Sequence, residues 1–251
     1  MATRMGTGER DDAALIAEAD RLLEALHATS ARLLGGMAVW QLCPSARSEP
    51  LSRTYHDIDL AVTGGDAPAL RRILTDLGYT GQEPFNAMQG ASRLIYRRNG
   101  IKLDVFVDRF EMCLDLDLRD RLRLSSRAVN ATDLLLTKWQ IAELNWKDVL
   151  DLFSLLTDLP LADADGDRVI NVTRIARLAG REWPWWAVLH DHHPRLADFA
   201  RTFPALAPRI EAALTRIIQA VDDAPKSVSW KLRNRVGRKM PWYRIPDEVE
   251  R

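Results

Sequence analysis

This chain of 251 residues has only two cysteines, no formal net charge and no long apolar run, and each of these absences argues against a class of protein. The two cysteines, Cys43 and Cys113, lie outside any CxxC or His-spaced pattern, so we expect neither a disulfide framework nor a structural zinc site. Lys plus Arg and Asp plus Glu number 35 each, which argues against a surface that binds nucleic acid everywhere but leaves room for a local basic patch. No apolar run approaches the roughly 18 residues that span a bilayer, and the first residues show no signal-peptide core. We therefore expect a soluble, cytoplasmic protein with no membrane partner.

Apolar residues make up 47% of the chain, enough for one large domain or two small ones that share an interface. The first half mixes helical and strand patterns, and Asn99-Gly100 is a strong hairpin signal between two strands. Beyond about residue 125 the pattern is helical. We predict an α/β (α+β) fold, with a core at 1–124 that carries a small mixed sheet and a helical domain at 125–251 that ends in a basic tail. The predicted helices are 11–28, 37–42, 67–77, about 130–144, 146–159 and 171–180, and the predicted strands are 57–62, 92–98 and 101–107.

Three aspartates on the predicted strands are candidates for a metal site. Asp57 and Asp59 are two apart and would point to the same face of one strand. Asp104 lies in the second strand of the hairpin, where a charge among apolar residues is costly unless it is paired or metal-bound. If the strands are neighbours, the three carboxylates converge and can bind Mg²⁺, which prefers hard oxygen ligands. The alternative is that such an Asp-x-Asp pair simply faces solvent.

Gly35-Gly36 precedes a predicted helix, and a loop containing Arg53 and His56 leads from that helix to Asp57. Backbone N–H groups of a diglycine at a helix N-terminus can hold phosphates, although a diglycine often forms only a tight turn. In the helical half, Asp148 and Asp151 share a helix face, where Lys147 can pair with Asp151. The alternative for these acids is a solvated first helical turn.

In this order of motifs the chain resembles the polymerase-β-like nucleotidyltransferases, many of which have Gly-Ser where Gly35-Gly36 stands. The string Arg53 to Leu60, RTYHDIDL, is similar to the aminoglycoside adenylyltransferases. The segments 136–140 and 147–151 resemble the K…KDxxD elements of abortive-infection and mycobacterial nucleotidyltransferase toxins, but Asn145 stands where those toxins usually have Arg. The segment 230–248 resembles uncharacterised bacterial members of the superfamily.

The resemblance implies a reaction in which a nucleoside monophosphate passes from ATP or another NTP to an acceptor hydroxyl, with release of pyrophosphate. Its cofactor would be Mg²⁺ or Mn²⁺, and the acceptor would be a small molecule or a tRNA 3′ end, with a protein side chain also open. An antitoxin partner is a further expectation from the toxin branch. A non-catalytic nucleotide-binding or regulatory module is the alternative. The implied roles are metal binding and catalysis for Asp57, Asp59 and Asp104, with Asp104 as third ligand or general base; catalysis and phosphate contact for Lys138; and nucleotide binding for Gly35, Gly36, Arg53, His56, Asp148 and Asp151.

Two further segments have open interpretations. His190, His192 and His193 precede Pro194 and favour an exposed loop, with metal binding as the alternative. Residues 224–246 contain seven Lys or Arg and no acid, interleaved with Trp230, Trp242 and Tyr243. This tail would either contact an RNA acceptor or form a basic helix that its aromatic residues dock on the domain.

Overall fold

The computed structural model describes residues 8–245, which form a mixed α+β fold with a small sheet, as predicted. The first half contains α1 (Gly8–Ala25), β1 (Arg32–Leu34), α2 (Gly35–Leu42), β2 (Asp57–Val62), α3 (Ala67–Asp76), β3 (Thr80–Gly81), α4 (Glu83–Gln89), β4 (Arg93–Arg98), β5 (Ile101–Val107), β6 (Arg109–Glu111) and β7 (Asp115–Asp117). The second half contains α5 (Ala131–Trp139), α6 (Trp146–Asp158), β8 (Leu161–Ala162), β9 (Ile170–Asn171), α7 (Val172–Arg181), α8 (Trp183–Ala200), α9 (Ala207–Asp223) and α10 (Val228–Val236).

The main sheet has five strands in the order β1-β2-β5-β4-β3. Only β2 and β5 run parallel, while the other neighbours are antiparallel. β4 and β5 form the predicted hairpin, in which Asn99 and Gly100 both have positive φ, at 49° and 80°. Two positive φ angles give the turn the twist of the flanking strands.

Asparagine side chains fix the starts of three helices in the second half. Asn130 accepts a hydrogen bond from Thr132 N, Asn145 from Asp148 N and Asn171 from Arg174 N. These caps satisfy amides that have no partner within their own helix. The predicted end of α5 near residue 144 is wrong, since the helix stops at Trp139.

The predicted exposed loop at the histidine cluster is also wrong. These residues lie inside α8, with Pro194 in the helix interior. His192 is buried, and its ring nitrogens lie 3.0 Å from the carbonyl oxygen of Trp139 and 3.3 Å from that of Ala142. Burial lowers the pKa of His192. The histidine therefore has a packing role at the end of α5, where carbonyl groups are left without helical partners.

One large apolar core runs through both halves, from Leu15 in α1 to Val221 in α9. Backbone hydrogen bonds also join the halves, because Leu33 N donates to Arg127 O and Val129 N donates to Leu33 O, each at 2.8 Å. The basic tail is docked by aromatic residues: Trp230 and Trp242 pack against Trp183 and Trp186. Among the helices of residues 8–245, none combines the length and apolar content needed to cross a membrane.

Candidate active site

The parallel pairing of β2 with β5 positions the carboxylates that the sequence singled out. Asp59 and Asp104 are direct neighbours across the two strands, and Asp57 lies opposite Lys102. Neighbouring strands are about 4.8 Å apart, so the backbones of Asp59 and Asp104 are that close. Asp57 is exposed at the start of β2, Asp59 is half-buried and Asp104 is buried, with 2% of its surface accessible.

Asp59 is crowded by negative charge. Burial and the carboxylates of Asp57 and Asp104 raise the pKa of Asp59 to about 8, although the cations of Lys138 and Arg93 act in the opposite direction. A cation beside Asp59 and Asp57 would relieve this repulsion. Mg²⁺ usually takes one or two carboxylates in addition to water and phosphate oxygens, so this pair has the donor set that the ion prefers.

Asp104 already has two cationic partners, neither of which the sequence analysis singled out. Arg93 donates to Oδ1 of Asp104 through Nε at 3.0 Å and Nη2 at 2.7 Å, and Lys102 Nζ lies 2.7 Å from Oδ2. No group of three or more His, Cys, Asp and Glu side chains within residues 8–245 is arranged to hold a metal ion. Asp104 can join Asp57 and Asp59 as a third ligand only if Arg93 and Lys102 give way.

The alternation of side chains along β4 and β5 predicts both of these ion pairs once the strand register is known. Lys102 is two residues before Asp104 on the same face of β5. Arg93 lies two residues before Ile95, the direct partner of Asp104 in β4, so the two side chains are diagonal neighbours. The acids on these strands stand out as charges among apolar residues, whereas the cations that neutralise Asp104 are recognised only once the strand register is known.

Gly35 lies against Asp59 because β1, which ends at Leu34 opposite Asp59, leads directly into α2. Its φ is +63°, and a Cβ atom on it would lie 1.9 Å from Oδ2 of Asp59. Only glycine fits this position without displacing the carboxylate. Leu34 provides no side-chain cap for α2, so the first amides of the helix have no hydrogen bond to the N-cap side chain.

Gly36 makes room for Arg53. A Cβ atom at Gly36 would lie 2.1 Å from Nη2 of Arg53 and 3.0 Å from Cδ1 of Tyr55. The guanidinium of Arg53 lies over the ring of Tyr55, 4.2 Å from its centroid. Both glycines of the pair are therefore needed for close approach, one to the acid Asp59 and the other to the cation Arg53.

A buried ion network connects Arg53 to the helical half. Arg53 donates through Nε and Nη2 to both carboxylate oxygens of Asp151, each at 2.8 Å. Lys138 Nζ lies 2.7 Å from Oδ2 of Asp151 and 3.5 Å from Oδ1 of Asp148. The solvated-turn interpretation of the two acids is wrong, since Asp148 is 5% and Asp151 1% exposed. The predicted pairing of Lys147 with Asp151 does not occur either, because Arg53 and Lys138 occupy that carboxylate.

Charge and burial compete within this network. Burial alone would lower the pKa of Lys138, but Asp151 and Asp148 outweigh it and raise that pKa, so the amine stays protonated. For Asp151, burial is outweighed by Lys138 and Arg53, and its pKa is lowered. For Asp148, burial prevails over Lys138 and raises the pKa, and its Oδ2 is buried with no hydrogen-bond partner in the described chain.

His56 is the one predicted site residue that remains apart. It is exposed at the start of β2 and makes no side-chain hydrogen bond or ion pair within residues 8–245. The other predicted residues form two connected groups. Gly35, Asp57, Asp59 and Asp104 lie at the sheet, while Gly36, Arg53, Lys138, Asp148 and Asp151 lie between α2, the loop before β2 and helices α5 and α6. The effect of Lys138 on the pKa of Asp59 shows that these groups interact electrostatically.

The arrangement has the charges that a nucleotide and a divalent cation require. Carboxylates at the sheet attract a cation, and the ammonium and guanidinium groups of Lys138 and Arg53 can attract phosphates. Neither a comparison with models of known protein families nor a search of curated proteins gives a match for this chain. Any assignment of function therefore depends on the geometry and chemistry of these residues.

Proposed function

We propose that this protein is a nucleotidyltransferase of the polymerase-β-like superfamily, which transfers a nucleoside monophosphate from an NTP to an acceptor hydroxyl. The observation that carries the proposal is the crowded carboxylate of Asp59. It lies beside Gly35 at the start of α2, next to Asp104 in the register of β2 and β5, and within the electrostatic range of Lys138. Burial and repulsion from Asp57 and Asp104 raise the pKa of this carboxyl group, and perturbed acids of this kind cluster at functional sites.

The residues suit distinct parts of the substrate. The amides of Gly35 and Gly36 would bind phosphate oxygens at the helix N-terminus, and Lys138 would contact the triphosphate after exchanging one of its carboxylate partners for a phosphate. Arg53, whose guanidinium is fixed by both oxygens of Asp151, would hold the edge of the phosphate site. Asp148 and Asp151 would keep the two cations in position.

Mg²⁺ or Mn²⁺ held by Asp57 and Asp59, with Asp104 as a third ligand, would neutralise the phosphate charge and lower the pKa of the acceptor hydroxyl. The acceptor oxygen forms a bond to the α-phosphorus, and the bond from that phosphorus to the bridging oxygen breaks, so that pyrophosphate leaves. The hydroxyl proton would pass to Oδ2 of Asp104. That oxygen lies 2.7 Å from Lys102 Nζ and would accept the proton once Lys102 gives way.

Pyrophosphate release tests the proposal. The wild-type protein is incubated with each NTP and Mg²⁺, together with either total RNA or a panel of hydroxylated antibiotics. We expect Asp59→Asn to abolish pyrophosphate release with every pair that the wild type uses. Asp76→Asn is the matched control, because Asp76 is exposed on α3 and forms no ion pair within residues 8–245. Full turnover by Asp59→Asn would refute the proposal.

A second candidate is a non-catalytic nucleotide-binding module on the same fold. The ion pairs of Asp104 with Arg93 and Lys102 favour it, because they neutralise an acid that a two-metal reaction would need. Calorimetry separates the candidates. A module of this kind binds NTP equally well in Mg²⁺ and in EDTA and releases no pyrophosphate, whereas the enzyme binds NTP more tightly with Mg²⁺.

A further inference from the structure

Two adjoining cavities lie away from the carboxylates, where β7 meets the start of α8. The first, of about 430 Å³, is lined by aromatic and cationic side chains, among them Trp185, Trp242, Tyr243 and Arg244. The second, of about 290 Å³, is lined by four arginines, Arg109, Arg174, Arg177 and Arg181, and by three acids, Asp115, Asp117 and Glu182. Both are bounded by Asp115 and Glu182, so the two cavities adjoin at these residues, and the pair is called the groove below.

Two of the four arginines of the second cavity, called the arginine cavity, form no ion pair within residues 8–245. Arg109 is paired with Asp115, and Arg174 with Asp133. Arg177 and Arg181 are exposed on α7, four residues apart on one helix face, and neither forms an ion pair within residues 8–245. Arginines held at one spacing without carboxylate partners are suited to bind phosphates.

The aromatic cavity has a wall that can accept a planar ring. Trp242 is held in place against Trp183, with ring centroids 5.8 Å apart, and Tyr243 packs edge-on against Trp242 at 4.9 Å. Tyr243 remains 37% exposed. The tail is anchored here because Arg244 N donates to Cys113 O at 2.9 Å. Nucleobases that are not paired in a duplex stack on aromatic side chains of this kind.

We infer that this groove binds a single-stranded nucleic acid, with phosphates at Arg177 and Arg181 and an unpaired base at Tyr243 and Trp242. The acids that bound both cavities, Asp115 and Glu182, can accept hydrogen bonds from exocyclic amino groups of a base. Four arginines face three acids in the arginine cavity, and two of the arginines have no ion pair within residues 8–245, so the cavity favours an anion over a polycationic small molecule. A duplex does not fit, because its bases are not free to stack on a side chain.

One wall residue of the groove, Arg109 at the start of β6, is close in sequence to Asp104 of the candidate active site. Arg109 follows Asp104 by five residues, so their Cα atoms are at most roughly 18 Å apart. A strand of a few nucleotides spans that separation. If the proposed function holds, the bound strand is therefore the acceptor, with its hydroxyl at the carboxylates. This last step rests on the proposed function, whereas binding in the groove does not.

Fluorescence anisotropy with labelled oligonucleotides of about 16 nucleotides, the upper range of one single-strand site, tests the groove in EDTA and without NTP. We expect single-stranded RNA or DNA to bind more tightly than a duplex of the same length. The double variant Arg177→Glu/Arg181→Glu should weaken binding on the order of tenfold or more at low salt. Its slope of log K against log salt should fall by roughly 1.4, since each lost phosphate contact on a single strand removes about 0.7.

Tyr243→Ala should weaken binding roughly five- to a hundredfold, the range for one stacked base, with the salt slope unchanged. The matched control is Arg72→Glu/Arg209→Glu, which makes the same charge change at two exposed arginines on α3 and α9. Thermal melts confirm that all variants are folded. The inference is overturned if the control weakens binding as much as the groove variant, or if heparin and an acidic polypeptide compete as well as the oligonucleotide.

The two proposals fail separately. If the protein binds oligonucleotides in the groove but releases no pyrophosphate, the groove proposal is supported and the proposed function is rejected. If the protein releases pyrophosphate with a small-molecule acceptor but binds no oligonucleotide, the proposed function is supported and the groove proposal is rejected.

Discussion

Arg53 occupies the space that a side chain at position 36 would need. It can do so because residue 36 is glycine. The guanidinium of Arg53 lies where a Cβ atom at position 36 would be, at 2.1 Å from Nη2. From that position it makes both of its hydrogen bonds to Asp151. A single methyl group at position 36 would therefore disrupt the ion pair between Arg53 and Asp151, which are 98 residues apart in the sequence.

We predict that Gly36→Ala lowers the free energy of unfolding by roughly 1–3 kcal/mol, the usual range for an overpacked site. It should also weaken NTP binding, because Arg53 must leave Asp151. Urea denaturation and calorimetry with ATP measure the two effects. Gly65→Ala is the control, since a Cβ atom there would meet nothing within 4 Å. Equal stability of the two variants would contradict the close approach of Arg53.

Asp151 neutralises two buried cations, so its removal should be among the most damaging single changes. We predict that Asp151→Asn costs about 3–5 kcal/mol at pH 7, because Arg53 would lose its carboxylate partner and Lys138 would keep only the more distant Asp148. Asp167→Asn is the matched control, since Asp167 is exposed and has no ion pair within residues 8–245. Similar denaturation midpoints for the two variants would contradict this assignment.

The cost of Asp151→Asn should also depend on pH. Burial would raise the pKa of Asp151, but Lys138 and Arg53 outweigh burial and hold that pKa below its usual value. An acid whose pKa is depressed by folding contributes stability above its unfolded-state pKa of about 3.9 and loses it as pH falls through the folded value. The difference between wild type and variant should therefore be constant near neutral pH and shrink below about pH 4. Denaturation curves from pH 3 to pH 8 measure this trend.

At the scale of elements, the start of α6 determines where Asp148 and Asp151 lie. Asn145 caps this helix through its side-chain oxygen, at 3.1 Å from Asp148 N. We predict that Asn145→Ala lowers the free energy of unfolding by about 1 kcal/mol, the typical loss of an N-cap, while Asn145→Asp has little effect. Thermal melts of both variants provide the comparison. A loss of stability as large in Asn145→Asp as in Asn145→Ala would exclude a capping role.

Elements with local signals could be predicted from the sequence. The hairpin of β4 and β5 follows from Asn99-Gly100, and α6 and α7 follow from their asparagine caps and apolar spacing. α8 could not be predicted, because proline and histidine are poor helix formers. Its helix continues through Pro194 because the buried side of α8, including His192, packs on the end of α5. That contact joins residues more than 50 positions apart, which periodicity cannot detect.

In the candidate site, too, features with a local sequence signal could be predicted, whereas long-range contacts could not. The Asp57–Asp59 spacing and the lone acid in β5 predict converging carboxylates only if the two strands are neighbours, and the structure pairs β2 with β5 so that Asp59 lies beside Asp104. The partners of Asp104 and Asp151 depend on strand register and on the docking of α5 and α6. Neither is encoded in a local motif. Helical spacing therefore predicts a partner for Asp151 on its own helix, Lys147, whereas the structure pairs it with Arg53 and Lys138.

At the scale of the whole molecule, the apolar core and the ion network both cross the predicted boundary at residue 124. Arg53 is bonded to Asp151, and Ser45 N donates to Asp158 at 2.8 Å. We therefore predict one cooperative unfolding transition, with equal calorimetric and van't Hoff enthalpies. Differential scanning calorimetry checks this, with a circular dichroism melt as an independent probe. Two resolved transitions would show that the halves at 1–124 and 125–251 are separate folding units.

The exposed basic tail has a consequence for how the protein behaves on a chromatography column. The chain has no formal net charge at pH 7, yet seven of its cations lie in residues 224–246 without an acid among them. The remaining residues therefore carry an excess of seven acids, and the molecule has opposite charges at different parts of its surface. A uniformly neutral protein would pass through both kinds of ion exchanger near its isoelectric point. This one should be retained on a cation exchanger at low salt, oriented with α10 towards the resin.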